Sequence, residues 1–230
     1  MGALVLACGN SGAIDWLPSV TESDDVEVCP VPSIPGKAEV DPRLAELGDR
    51  RLIVAGEDAD LAAVVLRLLR TDRVKDVIVG FVPIRDDSEV AALWRLPADP
   101  GRAFDCAVRG EVDPIPLIRD DAGGVLVGVG TLGPVRGVAY CDDDTAMRGR
   151  ASRIEVTPDP EGGSGLVAHV VRVGWLSRRG TTLHGRAFQL GCLPTPVVSD
   201  GSTHPRPITK WTWYRHTEDL RAVRGSINIT

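Results

Sequence analysis

Two acidic segments each follow a predicted buried strand and precede a predicted helix. The first is residues 56–60, Gly-Glu-Asp-Ala-Asp, and the second is residues 85–89, Arg-Asp-Asp-Ser-Glu. Loops after neighbouring strands of a doubly wound sheet open on the same crevice. We therefore expect six carboxylates to converge there, with Arg85 as the local counter-charge. These carboxylates belong to Glu57, Asp58, Asp60, Asp86, Asp87 and Glu89.

Two interpretations of these carboxylates are open from the sequence. Hard oxygen ligands suit magnesium or calcium, which makes Asp58, Asp60, Asp86 and Asp87 candidate metal ligands. The alternative is helix capping, because Asp58, Asp60 and Asp87 stand where acidic residues cap a helix or complement its dipole. A third acidic run, residues 141–145, lacks the glycine and distal glutamate of a calcium loop, so we expect a hairpin turn there.

A cluster of aromatic and basic residues near the C-terminus also admits two interpretations. Trp211 and Trp213 alternate with Thr212 and Tyr214, which predicts a strand with both indoles on one face. Core packing is the simpler reading of the indoles. The basic residues nearby could instead bind a phosphate or a lipid head-group; they are His204, Arg206, Arg215 and His216.

The first half of the chain alternates strand and helix patterns. Short apolar runs predict strands at residues 3–7, 26–31, 51–55 and 76–82. Helical spacing follows over residues 61–70, after Asp87, and from Pro100, where proline suits the first turn. Short apolar strands separated by helices predict a parallel sheet covered on both faces.

The second half has almost no helical periodicity and reads as antiparallel β structure. Strand-like runs joined by Asp/Gly turns occur at residues 125–129, 135–141, 145–156, 166–173, 181–190, 197–199 and 208–213. The sequence therefore predicts an α/β lobe at residues 1–118 and a β-rich lobe at residues 119–230. Unpaired strand edges in the second lobe would favour homodimerisation.

Charge and composition exclude several classes of protein. The 230 residues carry a net charge of −6, divided as −9 over residues 1–118 and +3 over residues 119–230. No part is basic enough for nonspecific nucleic-acid binding. No apolar run approaches the ~18 residues of a membrane span, and no signal-peptide pattern is present, so we expect a cytoplasmic protein. Five scattered cysteines without a CxxC pair indicate neither a disulfide framework nor structural zinc.

Four segments carry a resemblance to a known family. Residues 10–12, Asn-Ser-Gly, are similar to an Asn-Pro-x-Ser-Gly turn. Within residues 54–65, the ten residues from Gly56 align without gaps on a Gly-Gly-Asp-Gly-Thr-Leu-Asn-Glu-Val-Val segment. Residues 80–84 track a Gly-Ile-Ile-Pro-Leu strand, and residues 197–202 end in a variant of Asp-Gly-Glu. In these segments the chain resembles the catalytic domain of the diacylglycerol kinases and sphingosine kinases, which share their fold with the NAD kinases.

The resemblance implies a fold and a set of site residues. The fold is a Rossmann-like N-terminal lobe followed by an antiparallel β-sandwich lobe, with the active site between them. The cofactors are ATP and magnesium, and the corresponding catalytic positions are Asp58 and Asp200, with Ser202 where the family has its general-base glutamate. The corresponding nucleotide-binding positions are Asn10, Ser11, Gly12, Gly56, Asp58, Asp60 and Arg85.

Departures from the family pattern weaken the expected chemistry. Glu57 and Asp60 replace a glycine and a threonine that would leave room for phosphates and donate to them. Ser202 cannot act as a general base without a basic partner. We therefore expect a non-catalytic binding or regulatory protein, in effect a pseudokinase, that takes a nucleotide or a lipid head-group. The alternative is an active ATP-dependent lipid or small-alcohol kinase with altered ligands. Arginine outnumbers lysine by 23 to 3, which suggests a high-GC, actinobacterial genome.

Overall fold

The computed structural model describes residues 2–9, 25–173 and 178–225. The chain divides into two compact units, Met1–Pro114 with Glu218–Thr230, and Ile115–Thr217. The first boundary lies close to the one proposed from the sequence, after residue 118. The C-terminal segment differs from that proposal, because Ala222 bridges Val79 and Val223 bridges Val112, which returns this segment to the first unit.

The first unit contains a four-stranded parallel sheet with the order β2-β1-β3-β4. Its strands are β1 (Ala3–Cys8), β2 (Val26–Val31), β3 (Arg51–Gly56) and β4 (Val79–Pro83). Every residue of β1 is buried, as expected of a central strand with both sheet faces covered. The predicted parallel sheet is therefore confirmed.

Four helices accompany this sheet in the described residues: α1 (Lys37–Ala45), α2 (Asp58–Arg70), α3 (Glu89–Leu93) and α4 (Pro100–Arg109). The sequence did not predict helix α1, because Pro30, Pro32, Pro35 and Gly36 just before it favour a loop, and the helix moreover contains Pro42. Helix α4 begins as predicted at Pro100, and the Asp99 side chain caps it by accepting the Arg102 amide at 2.8 Å. None of these helices combines the length and apolar character needed to cross a membrane.

Helix α4 packs on one face of the parallel sheet. Its Phe104 and Ala107 belong to the same buried cluster as Val5, Ile53 and Val82. Helix α2 buries Leu61, Val64, Val65 and Leu68, the four apolar residues whose spacing predicted it. This packing holds the carboxyl ends of β3 and β4 in fixed positions, and the acidic segments begin at those ends.

The second unit consists of two six-stranded sheets. One has the order β12-β11-β10-β7-β14-β15 and the other β6-β5-β16-β13-β8-β9. The strands are β5 (Ile115–Asp120), β6 (Val125–Leu126), β7 (Gly130–Leu132), β8 (Val135–Cys141), β9 (Asp144–Ala151), β10 (Arg153–Pro158), β11 (Leu166–Val173), β12 (Arg178–Gly185), β13 (Ala187–Thr195), β14 (Val197–Ser199), β15 (Ser202–Thr203) and β16 (Ile208–Leu220).

The core of this unit is built around tryptophan. Trp211 and Trp213 lie on the buried face of β16 with their ring centroids 5.9 Å apart, and Phe188 packs beside Trp213. The prediction that the indoles pack in the core is thus confirmed. Residues 141–145 form the β8–β9 turn, where Asp142 accepts the amides of Arg186 and Ala187 at 3.0 and 2.9 Å. The predicted fold class, an α/β lobe followed by antiparallel sheets, is confirmed.

Gly130 provides a test of this core, because a Cβ atom at this position would overlap the Trp213 ring. Gly130→Ala should lower the free energy of unfolding of the second unit by about 1–3 kcal/mol through overpacking. Gly191→Ala is the matched control, since a Cβ there meets nothing within 4 Å. Urea unfolding followed by far-UV circular dichroism compares them, and equal midpoints for the two variants would contradict this account of the core.

Candidate functional site

The candidate site lies at the carboxyl ends of β1, β3 and β4 in the first unit. From β1 the chain runs first to β2 on one side and then to β3 on the other. Such a reversal of strand order is a topological switch point, where open α/β sheets bind their ligands. In this protein Cys8 ends β1 and Gly56 ends β3, so these two residues border the switch point.

The Asp60 carboxylate is the central group of this region. Asp60 is the third residue of α2 and only 3% exposed. One carboxylate oxygen accepts the Glu57 amide at 2.8 Å, as the acidic residue of a capping box does. The other accepts the Ile34 amide at 2.6 Å, from the loop that follows β2. Asp60 therefore ties the turn after β3 to the loop after β2.

The surroundings of Asp60 are closely packed. A Cβ atom at Gly56 would lie 2.5 Å from an Asp60 carboxylate oxygen and 3.0 Å from the Cys8 Cβ, so glycine is required at this position. Burial, followed by the negative charge of Asp60, raises the pKa of the Cys8 thiol to about 12. Cys8 is therefore a neutral thiol at physiological pH, and it is not activated as a nucleophile.

Ile34 adopts a backbone conformation that its side chain disfavours. Its φ is +50°, in the left-handed region, and its side chain is 59% exposed. A β-branched residue in this region is strained and persists only where the surroundings hold it. The charged hydrogen bond from its amide to Asp60 is the contact that holds it here. Sequence reasoning did not identify Ile34, because nothing in its local pattern marks it.

Asp58 makes a second set of contacts, with the loop after β4. Its carboxylate accepts the Ser88 hydroxyl at 2.5 Å and the amides of Glu89 and Val90 at 2.9 and 3.3 Å. Ser88 in turn caps α3 by accepting the Ala91 amide. The two acidic segments therefore touch through Asp58 and the start of α3, which is a narrower contact than the convergence of six carboxylates expected from the sequence. They meet through a carboxylate that satisfies backbone donors at the start of α3.

The remaining charged residues of the two segments lie at the surface. Arg85 pairs with Asp87 at 2.8 Å, and both side chains are more than half exposed. This hydrogen bond lowers the pKa of Asp87 and raises the pKa of Arg85. Glu57, Asp86 and Glu89 are exposed as well.

The structure gives Asp58 and Asp60 capping roles. Asp60 accepts hydrogen bonds from the Glu57 and Ile34 amides, and Asp58 accepts them from amides at the start of α3. Asp87, which the sequence placed at a helix cap, instead pairs with Arg85, and Ser88 caps α3 in its place. Throughout the described residues, no three His, Cys, Asp or Glu side chains are grouped so that they could hold a metal ion. Metal binding by Asp58, Asp60, Asp86 and Asp87 stays a prediction. Residues 10–12, the expected nucleotide-binding turn, lie outside the described part.

A pocket of about 390 Å³ lies beside this region, and the sequence did not reveal it. Arg85, Asp86 and Ser88 contribute its polar atoms, and most of its wall is apolar. The apolar wall consists mainly of Pro83, Ile84, Ala91, Ala92, Leu96 and Pro97. These residues come from the end of β4, from α3 and from the segment after it, which the sequence does not show to be adjacent.

The C-terminal catalytic candidates lie in the second unit. Asp200 is 1% exposed, and its carboxylate accepts the amides of Val127 and Gly128 at 3.0 and 2.8 Å. Ser202 is an exposed residue of β15. Asp200 therefore fixes a buried loop in this structure, and catalysis by Asp58 or Asp200 stays a prediction.

Comparisons with known proteins identify the fold. No family model matches this chain, and no curated protein matches it by sequence. Among solved structures, it resembles a diacylglycerol kinase from Bacillus anthracis with a TM-score of 0.66 and 10% identity, over 97% of both chains.

Two pyridine-nucleotide kinases are also similar to this chain. An NAD kinase from Archaeoglobus fulgidus, solved with ATP, has a TM-score of 0.58 at 15% identity, over 97% of this chain and 94% of that one. Yeast NADH kinase, solved with NADH, has a TM-score of 0.58 at 10% identity, over 99% and 84%. The chain therefore has the two-lobe fold of the diacylglycerol kinases and NAD kinases.

Proposed function

We propose that this protein is a non-catalytic member of the diacylglycerol kinase fold that acts as a binding or regulatory protein. The observation that carries the proposal is the Asp60 carboxylate, which accepts the Glu57 and Ile34 amides at the switch point of the sheet. Backbone amides at such a point are the groups that cradle phosphates in nucleotide-binding folds. In this chain the Asp60 carboxylate accepts the hydrogen bonds that these amides could otherwise donate to a phosphate.

Internal carboxylates compete strongly with a bound phosphate. Hydrogen bonds to a charged acceptor contribute about 1.5–3 kcal/mol each, and an attached side chain loses no translational freedom on forming them. Asp58 occupies the Glu89 and Val90 amides in the same way. A nucleotide would have to displace both carboxylates and then bear their repulsion, since like charges at ~4 Å repel by about 1 kcal/mol even in water.

The residues that the structure describes at this site do not fit ATP and magnesium. Gly56 offers no open approach on the side where a Cβ would stand, because Asp60 and Cys8 occupy that side. Asp60 and Asp58 already accept backbone donors, and Arg85 is neutralised by Asp87. The neighbouring pocket beside Ile84 has apolar walls, which suit an apolar or amphiphilic ligand better than a triphosphate. A binding role therefore agrees with this geometry better than phosphoryl transfer does.

Asp60→Asn tests the bridging role. The amide has one acceptor oxygen, so either the Glu57 or the Ile34 amide would lose its partner. We expect the free energy of unfolding to fall by about 1–3 kcal/mol, the cost of a buried unsatisfied donor. Asp86→Asn is the matched control, because Asp86 is exposed. Urea unfolding measures both variants, and a loss for Asp60→Asn no larger than that for Asp86→Asn would refute the bridge.

Nucleotide binding tests the function itself. ATP with magnesium should leave the melting temperature of the wild-type protein unchanged, whereas a ligand at a hundred times its Kd would add about 2.7 kcal/mol of stability. No phosphate should pass from labelled ATP to diacylglycerol. Clear stabilisation together with labelled lipid would establish the alternative, an active kinase with altered ligands.

A matched pair of variants separates charge repulsion from simple lack of space. Glu57→Gln removes an exposed charge at the start of α2, and Glu111→Gln removes an equally exposed charge outside the site. If charge contributes to excluding the nucleotide, weak ATP stabilisation should appear in Glu57→Gln and not in Glu111→Gln.

The cytoplasmic location, the actinobacterial origin and homodimerisation stay predictions.

A further inference from the structure

One face of the second unit's β6-β5-β16-β13-β8-β9 sheet carries a group of cations. Residues directly opposite one another in antiparallel strands project to the same side of the sheet. The register places Arg148 opposite Val138, Val138 opposite Gly191, and Gly191 opposite Lys210. The next row places Arg150 opposite Arg136. From strand spacing and rise, the four cations fall within an area of about 14 by 7 Å.

These cations, which we call the basic face, are Arg136, Arg148, Arg150 and Lys210. All four are exposed, and none has an ion pair with a described residue. Strands β8, β9 and β13 and the second-unit part of β16 contain a single acidic residue, Asp144, at the hairpin end opposite the buried Cys141. The basic face therefore keeps its positive charge uncompensated.

Protection of the sheet edge accounts for only part of this arrangement. β9 is an edge strand, where arginines discourage pairing with another chain. Arg136 and Lys210, however, stand on β8 and β16, which are interior strands of the same sheet. A charge on an interior strand does not protect the edge from pairing with another chain. Edge protection therefore does not explain the positive charges at these two positions.

An apolar depression lies within the basic face. It has a volume of about 530 Å³ and is lined by Arg136, Gly137, Val138, Gly191, Cys192 and Leu193. Leu193 is 59% exposed, and Tyr140 nearby on β8 is 38% exposed. The β13 strand is irregular between Gly191 and Thr195, and this irregularity includes Leu193. The exposed leucine and the apolar depression therefore lie on the same sheet as cations that have no ion pair with a described residue, a combination that suits an amphiphilic surface.

We propose that the basic face docks on a membrane surface rich in anionic phospholipids. Such a surface offers negative head-groups to the four cations and an apolar layer beneath them for Leu193. The second unit carries 12 Lys and Arg against 9 Asp and Glu, whereas the rest of the chain has a net charge of −9. This asymmetry orients the molecule with the second unit towards an anionic surface.

Two other anionic partners fit less well. A nucleic acid would need aromatic platforms or base-reading groups between the cations, and the depression offers aliphatic and glycine residues there. The acidic unit of a second copy would bind head to tail, a contact that forms open chains unless its rotation closes. The docking proposal is independent of whether the protein transfers phosphate.

Vesicle flotation of the full chain tests the proposal. The wild-type protein should float with vesicles of equal parts phosphatidylglycerol and phosphatidylcholine, and not with phosphatidylcholine alone or in about 1 M NaCl, where charges are screened beyond about 3 Å. Arg148→Gln with Arg150→Gln should lower the partition coefficient about 25-fold, at about fivefold per cation. Leu193→Ser should lower it about tenfold without changing charge.

Matched controls make the outcome decisive. Lys75→Gln with Arg102→Gln removes two exposed cations from the first unit and should leave partitioning unchanged. Arg136→Gln with Lys210→Gln repeats the loss without altering the edge strand, and melting curves confirm that each variant is folded. Absence of wild-type flotation, or an equal loss in the first-unit control, would overturn the proposal. The proposal would also be overturned if the basic face bound a DNA duplex, or mediated self-association, while the protein failed to bind the vesicles.

Discussion

The bridge formed by Asp60 is the interaction on which the candidate site depends. A single buried carboxylate joins the first turn of α2 to the loop after β2 and holds Ile34 in a left-handed conformation. The same group makes glycine necessary at position 56 and, after burial itself, contributes to the raised pKa of the Cys8 thiol. Without this anion, the Glu57 and Ile34 amides would lack an acceptor at the switch point of a doubly wound sheet, where backbone amides of nucleotide-binding folds donate to phosphates.

The carboxyl side chains of this protein serve the same purpose in both units. Asp58 satisfies amides at the start of α3, Asp142 satisfies amides at the β12–β13 connection, and Asp200 satisfies the amides of residues 127 and 128. An aspartate that accepts two backbone donors removes the cost of leaving them unpaired in the interior. These aspartates therefore fix loops and helix ends, and negative charge by itself is weak evidence of a cation site.

Much of the fold was accessible from the sequence, because apolar periodicity reports burial directly. The spacing of Leu61, Val64 and Leu68 predicted α2, and Pro100 correctly marked the start of α4. Helix α1 was missed because the prolines and glycine just before it favour a loop. The hydrogen bond between Ile34 and Asp60 could not be predicted from the sequence either. Ile34 lies 26 residues before Asp60, and only the order of the parallel strands brings the two loops together. Local pattern predicts elements, whereas contacts between loops depend on topology.

The distribution of charge separates internal from external roles. Asp58, Asp60 and Asp200 accept hydrogen bonds from backbone amides within their own unit. They therefore attract a cationic partner less strongly than three unpaired carboxylates would. The cations of the basic face have no such acceptor among the residues that the structure describes, and all four are exposed. Charges that are paired within a fold contribute to its stability. Unpaired charges grouped on one face instead contribute favourable free energy of binding when a partner of opposite charge approaches. The basic face is therefore cationic and unpaired within the described residues, although the chain as a whole is acidic.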